Sequence, residues 1–193
     1  SALFQDIFIA NFKSSNVLLQ NNGVGHFVAS AERFASTNLC CQQHGVFTDV
    51  TSTAGLTSQN SGFEGTFGYY NNDSFLDLYV SFSGKNNVLY VNNGHGVFTD
   101  ATSTAGVAGN GDMGRGTSWG DLNNDGLLDL AMVSADPGAN RMYQNNGDGT
   151  FKDITSSAGI SGDIDGVAQV RELPCFARPS SHYRICRGHL HIL

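Results

Sequence analysis

Apolar residues along this chain fall in short runs separated by Gly, Asn, Asp and Ser, and they never sustain the 3.6-residue spacing of a long amphipathic helix. Ile7-Phe8-Ile9, Leu78-Tyr79-Val80 and Leu130-Ala131-Met132-Val133 each follow directly on an aspartate. A second run comes after each of them, Val17-Leu18-Leu19, Val88-Leu89-Tyr90-Val91 and Met142-Tyr143, and leads towards Asn-Asn-Gly. Runs this short, bounded by turn residues, predict β-strands. Asn-Asn-Gly predicts a hairpin turn, because Asn and Gly tolerate the positive φ that tight turns between twisted strands require.

The strand pattern repeats. Residues 44–55 read HGVFTDVTSTAG and residues 95–106 read HGVFTDATSTAG, differing only at Val50 against Ala101; residues 149–159 read GTFKDITSSAG. Phe47, Phe98 and Phe151 are thus 51 and 53 residues apart, while Asp6 to Phe27, Asp77 to Phe98 and Asp129 to Phe151 span 21, 21 and 22. A period of roughly 50 residues with several short strands suits a four-stranded propeller blade, since solenoid repeats are usually shorter. The expected fold is all-β: a partial β-propeller of about three blades, each a four-stranded antiparallel sheet, over residues 1–166. The units lie near 1–27, 45–98 and 99–151, with an insertion near 28–44 and an atypical basic tail over 167–193.

Composition narrows the function classes. Seventeen acidic against ten basic residues give a net charge of −7, which disfavours nucleic acid and suits cations. No apolar run approaches the roughly 18 residues that span a bilayer, so membrane insertion is not expected. The chain starts at Ser1 without Met, as a processed product or an excised piece would. All four cysteines, Cys40, Cys41, Cys175 and Cys186, fall in the two off-pattern stretches, and adjacent Cys40 and Cys41 would pair only under strain.

The sharpest local signal is Asp121-Leu-Asn123-Asn-Asp125-Gly126-Leu127-Leu-Asp129. Hard cations such as Ca²⁺ take six to eight oxygens, and side chains at positions one, three and five curl around one point when glycine at six permits the bend. Asp121, Asn123 and Asp125 are the expected side-chain ligands, the Leu127 carbonyl adds an oxygen, and Asp129 closes the loop from position nine. A plain polar turn is the alternative, but it would crowd three carboxylates without a counter-ion. The second unit has Tyr69-Tyr-Asn71-Asn-Asp73-Ser74-Phe-Leu-Asp77, which keeps Asn71, Asp73 and Asp77 but has Tyr at one and Ser at six; it reads as a weak or non-binding version. Only Asp6 survives in the first unit, and Asp163-Ile-Asp165-Gly166 reads as a loop.

Through WGDLNNDGLLDL at 119–130, the Asn-Asn-Gly turns and the Phe-x-Asp-x-Thr-x-x-x-Ala-Gly segments, the chain resembles the FG-GAP and VCBS repeat family, found in integrin α-subunit heads and many secreted bacterial proteins. The resemblance implies a propeller with Ca²⁺ between blade strands, an extracellular, periplasmic or cell-surface location, and adhesion or ligand binding. Related propellers commonly close with more blades, so further blades or self-assembly are expected to complete this one.

The expected function is a non-catalytic, calcium-binding module for a protein or carbohydrate ligand. A lectin-like version would use aromatic platforms, with Trp119, Tyr69, Tyr70 and Tyr90 as candidates, although tryptophan directly before Gly-Asp reads more simply as blade packing. The alternative is a calcium-stabilised propeller within a secreted hydrolase or lyase. His44 and His95 recur at one repeat position, which suggests a turn role, and Ser118 has no evident partner. His182, His189 and His191 with Cys175 and Cys186 match no zinc spacing, and the tail's arginines are too spread to form a patch.

Overall fold

The computed structural model describes residues 7–11, 14–21, 47–56, 61–136, 139–160, 176–177 and 184–185. The insertion at 28–44, the Asp163 loop, Asp6 and all four cysteines lie outside these residues.

The fold is all-β. The first sheet orders β1 (Ile7–Ile9), β2 (Val17–Asn21) and β3 (Phe47–Asp49). The second runs β4 (Gly62–Gly68), β5 (Asp77–Phe82), β6 (Val88–Asn92) and β7 (Phe98–Asp100). The third runs β8 (Gly114–Gly120), β9 (Asp129–Ser134), β10 (Arg141–Asn145) and β11 (Phe151–Asp153). Every neighbouring pair is antiparallel and sequential, which is the meander of a propeller blade. A two-stranded hairpin joins β12 (Phe176–Ala177) to β13 (Arg184–Ile185). The only helix among the described residues, α1 (Thr102–Ala105), is far too short to cross a membrane.

Strand register explains the repeat. Asn21 pairs with Phe47, Asn92 with Phe98 and Asn145 with Phe151, so these three phenylalanines open the last strand of successive sheets. The first sheet therefore closes across the stretch 22–46, while Phe27, which ends the first sequence unit, lies outside the described residues.

The Phe-x-Asp-x-Thr segment works as a staple. Asp49 accepts the Thr51 backbone N–H at 3.0 Å and its hydroxyl at 2.6 Å, and Asp100 holds Thr102 in the same way. These hydrogen bonds, the hydroxyl first, hold the Asp49 carboxyl below its usual range. Each threonine oxygen then accepts a backbone N–H from the preceding strand: Leu18 to Thr51, Leu89 to Thr102 and Met142 to Thr155. The following Ala and apolar residue, Ala54 and Leu56 or Ala105 and Val107, are buried between one sheet and the next.

The core lies between sheets. Strand β5 is buried on both faces, as its alternation requires: Leu78, Val80 and Phe82 join Leu18 and Phe8 of the first sheet, whereas Tyr79 joins Trp119, Leu130 and Tyr143 of the third. The Tyr79 hydroxyl donates to the Val107 carbonyl at 2.8 Å, and its ring meets Trp119 edge-on. Strand β4 is lined with glycine where neighbours come close. A Cβ on Gly68 would lie 2.6 Å from the Trp119 indole, and one on Gly65 would overlap the Phe8 ring.

Candidate functional site

The loop between β8 and β9 holds Asp121 to Asp129. Its backbone turns through positive φ at Asn124 (63°) and Gly126 (89°), where asparagine and glycine carry the smallest steric penalty. That path brings the N–H groups of Asp125 and Gly126 to Asp121 Oδ1 and Oδ2, both at 3.1 Å. Asn123 Oδ1 accepts the Asp125 N–H at 2.9 Å, and its amide donates to Asp125 Oδ2 at 2.7 Å. Asp125 Oδ1 accepts the Leu127 N–H at 2.8 Å. The structure thus gathers Asp121, Asn123 and Asp125 on one turn.

Asp129 stands at the base of this turn, only 1% exposed. Its Oδ2 accepts the Leu122 N–H and its Oδ1 the Asn145 N–H, so one carboxylate ties the loop to the Asn-Asn-Gly hairpin of the same sheet. Burial raises its pKa, and the charges of Asp125 and Asp121 add to the rise against the opposing pull of the two N–H groups. Asp121 is itself buried. No cationic side chain pairs with these three aspartates among the described residues, where the recorded ion pair is Arg141 to Asp112. Nor do any three His, Cys, Asp or Glu side chains there form a preassembled metal cluster. The donor set is wholly oxygen, which suits a hard cation, and the carboxylates at present accept loop N–H groups.

The loop between β4 and β5 repeats this path without its first ligand. Asn72 and Ser74 have φ of 58° and 75°, Asp73 accepts the Phe75 N–H and the Asn71 amide, and Asp77 accepts the N–H groups of Tyr70 and Asn92. Tyr69 stands where Asp121 stands in the other loop, so the carboxylate that gathers the turn is missing. The Asp77 carboxyl is pushed up to about 7, chiefly by burial, with Asp73's charge adding to the rise.

A profile of the FG-GAP-like repeat matches residues 69–132 and 121–171, together more than half of the chain. The chain belongs to the FG-GAP-like repeat family. Each FG-GAP match begins on position one of a loop, at Tyr69 and at Asp121. Among relatives, cartilage acidic protein 1 of Homo sapiens is 32% identical over 111 residues, covering 56% of this chain and 17% of that protein. The Mus musculus protein of that name is 31% identical with the same coverage. That of Xenopus tropicalis is 29% identical over 114 residues, 58% of this chain and 18% of that protein. This FG-GAP chain spans less than a fifth of the length of these relatives.

The other candidates resolve through burial. Trp119, Tyr70 and Tyr90 are core residues packed between sheets and offer no open platform. Tyr70 stacks on Phe151 at 5.9 Å. Ser118 is buried with its hydroxyl towards the Trp119 carbonyl, and His95 is exposed on the β6–β7 turn. His44, His182, His189 and His191 lie outside the described residues. Sequence reasoning missed Asn16, Asn87 and Asn140, which are buried ahead of β2, β6 and β10. Their side-chain oxygens accept the N–H groups of Asn11, Phe82 and Ser134, closing the hairpin opposite the loops. Their recurrence just before each second apolar run was the available signal.

Proposed function

We propose that this chain is a calcium-binding propeller segment that acts outside the cytoplasm as a non-catalytic adhesion or ligand-binding module. One observation carries the reading: Asp121, Asp125 and Asp129 share one glycine-turned loop, two of them buried, with no cationic side chain to neutralise them among the described residues. A hard divalent ion is the partner that such a set of oxygens recognises. Asp121, Asn123 and Asp125 would hold it, with the Leu127 carbonyl, and Asp129 would close the site while keeping its hydrogen bonds to Leu122 and Asn145. The ion would fix the loop against the Asn-Asn-Gly hairpin, giving a protein or glycan ligand a rigid surface at that end of the blades. The loop of Asn71, Asp73 and Asp77 binds weakly or not at all, because Tyr69 supplies no carboxylate. The family match and the likeness to cartilage acidic protein 1 support the extracytoplasmic placement.

Calorimetric titration of the chelator-stripped chain with Ca²⁺ tests the reading. One saturable site is expected, lost in Asp121→Asn, with a much weaker response to Mg²⁺. A flat Ca²⁺ titration of the intact chain would overturn it.

A further inference from the structure

The loop between β4 and β5 departs from its counterpart at position six, where Ser74 replaces glycine. That change turns Asn-Asp-Gly, as in Asn124-Asp125-Gly126, into Asn72-Asp73-Ser74. It is the one Asn-x-Ser/Thr triplet in the 193 residues. Such a triplet in an exposed loop of a secreted protein is an acceptor for N-linked glycan.

We propose that Asn72 carries an N-linked oligosaccharide; this rests on the extracytoplasmic reading above. Asn72, Asp73 and Ser74 are all exposed, at the outer bend of the loop. The amide of Asn71 and the carboxylate of Asp73 are bound to each other and to the loop backbone. The Asn72 side chain makes no hydrogen bond among the described residues, so its amide is the spare one on the turn. Ser74 holds a φ of 75° where its counterpart is glycine, a strained setting for a residue with a Cβ and one that persists where something requires the side chain. Supplying the triplet's hydroxyl is such a requirement. The donor is an oligosaccharide carried on a polyprenyl pyrophosphate. Asn72 Nδ2 bonds to the anomeric carbon, the bond from that carbon to the pyrophosphate oxygen breaks, the lipid pyrophosphate leaves with the electron pair, and an amide proton passes to base. The glycan would lie over Phe75 and Leu76, large apolar side chains that are 42% and 41% exposed. Position four of the loop is not a ligand position, so the modification leaves Asn71, Asp73 and Asp77 in place.

The test is import of the full chain, fused to a secretion signal, into rough microsomes. Imported chain is expected to migrate as a slower band that peptide-N-glycosidase F collapses to the unmodified position, with Asn72 recovered as Asp in the released peptide. Asn72→Gln and Ser74→Ala should each abolish the slower band, and Ser74→Thr should retain it. Gly126→Ser, which creates a second triplet at Asn124, reports whether this loop shape is an acceptor at all. Protease-protected chain with an unmodified Asn72 would overturn the proposal. Because the signal forces import, that result is independent of the extracytoplasmic reading, which is judged by whether the natural protein reaches the medium.

Discussion

The Asn145 side chain reaches from the third sheet to the Tyr70 carbonyl of the second, donating at 2.7 Å across 75 residues of sequence. The same amide donates to the Leu128 carbonyl, its oxygen accepts the Gly147 N–H, and its backbone N–H goes to Asp129. One buried asparagine therefore ties a hairpin turn, an acidic loop and the neighbouring blade together. Asn145→Ala leaves buried carbonyls unpaired and is expected to cost about 1–3 kcal/mol in urea unfolding. Asn145→Asp should cost at least as much, because a carboxylate would face those carbonyls. A fully stable Asp variant would mean that the bridge does not hold the blades.

Chelation tests the ion through stability. A ligand bound only by the folded state raises its melting temperature by mass action. EGTA is expected to lower the thermal midpoint, and Asp125→Ala to remove most of that sensitivity. Asp73→Ala should matter less, because its loop lacks the carboxylate that Asp121 supplies. Equal effects of the two variants would put the two loops on the same footing.

Buried carboxylates predict a pH dependence of definite sign. The folded pKa of Asp77 is raised to about 7 from 3.8, and that of Asp129 is raised too. The folded chain therefore binds more protons than the unfolded one between about pH 4 and 7, so stability falls as pH rises through that window and levels off above it. In EGTA the melting temperature should decline over this range, and Asp77→Asn should flatten the decline. Saturating Ca²⁺ should oppose it, because metal binding needs ionised carboxylates.

Contact between Gly68 and Trp119 is steric and so testable by a double mutant. Gly68→Ala puts a methyl into the indole and is expected to cost about 1–3 kcal/mol. Trp119→Leu removes packing but also relieves that clash. Chemical denaturation of the double variant should show a loss smaller than the sum of the single losses by about 1 kcal/mol. Strict additivity would mean that the two residues do not meet.

Much of this architecture is legible in the amino-acid order, because a blade is a local meander whose strands pair with their sequence neighbours. The Phe47, Phe98 and Phe151 period, the Asn-Asn-Gly hairpins and the Asp121 loop all belong to such local units. What depends on the neighbouring blade is not legible. Tyr70 stands as a candidate platform until the adjoining sheet is placed, Trp119 reads as packing without its partner being identifiable, and the Gly68 and Gly65 sockets make sense only beside Trp119 and Phe8. The first sheet is a subtler case. Asn21 pairs with Phe47 across a long intervening stretch, and a period count alone stops at Phe27 because Gly25-His26-Phe27 imitates the expected strand start.

The glycine row of β4 sets where the rings of its neighbours can sit. Where Gly68 meets Trp119, the bare backbone of one sheet lies against the indole of the next, and at Gly65 it lies against the Phe8 ring of the first sheet. The two rings, one from each neighbouring blade, are thus seated on a strand that has no side chain of its own at those positions. Bulk added at either position would unseat a ring, so the fit between neighbouring blades is written in the residues this strand leaves small.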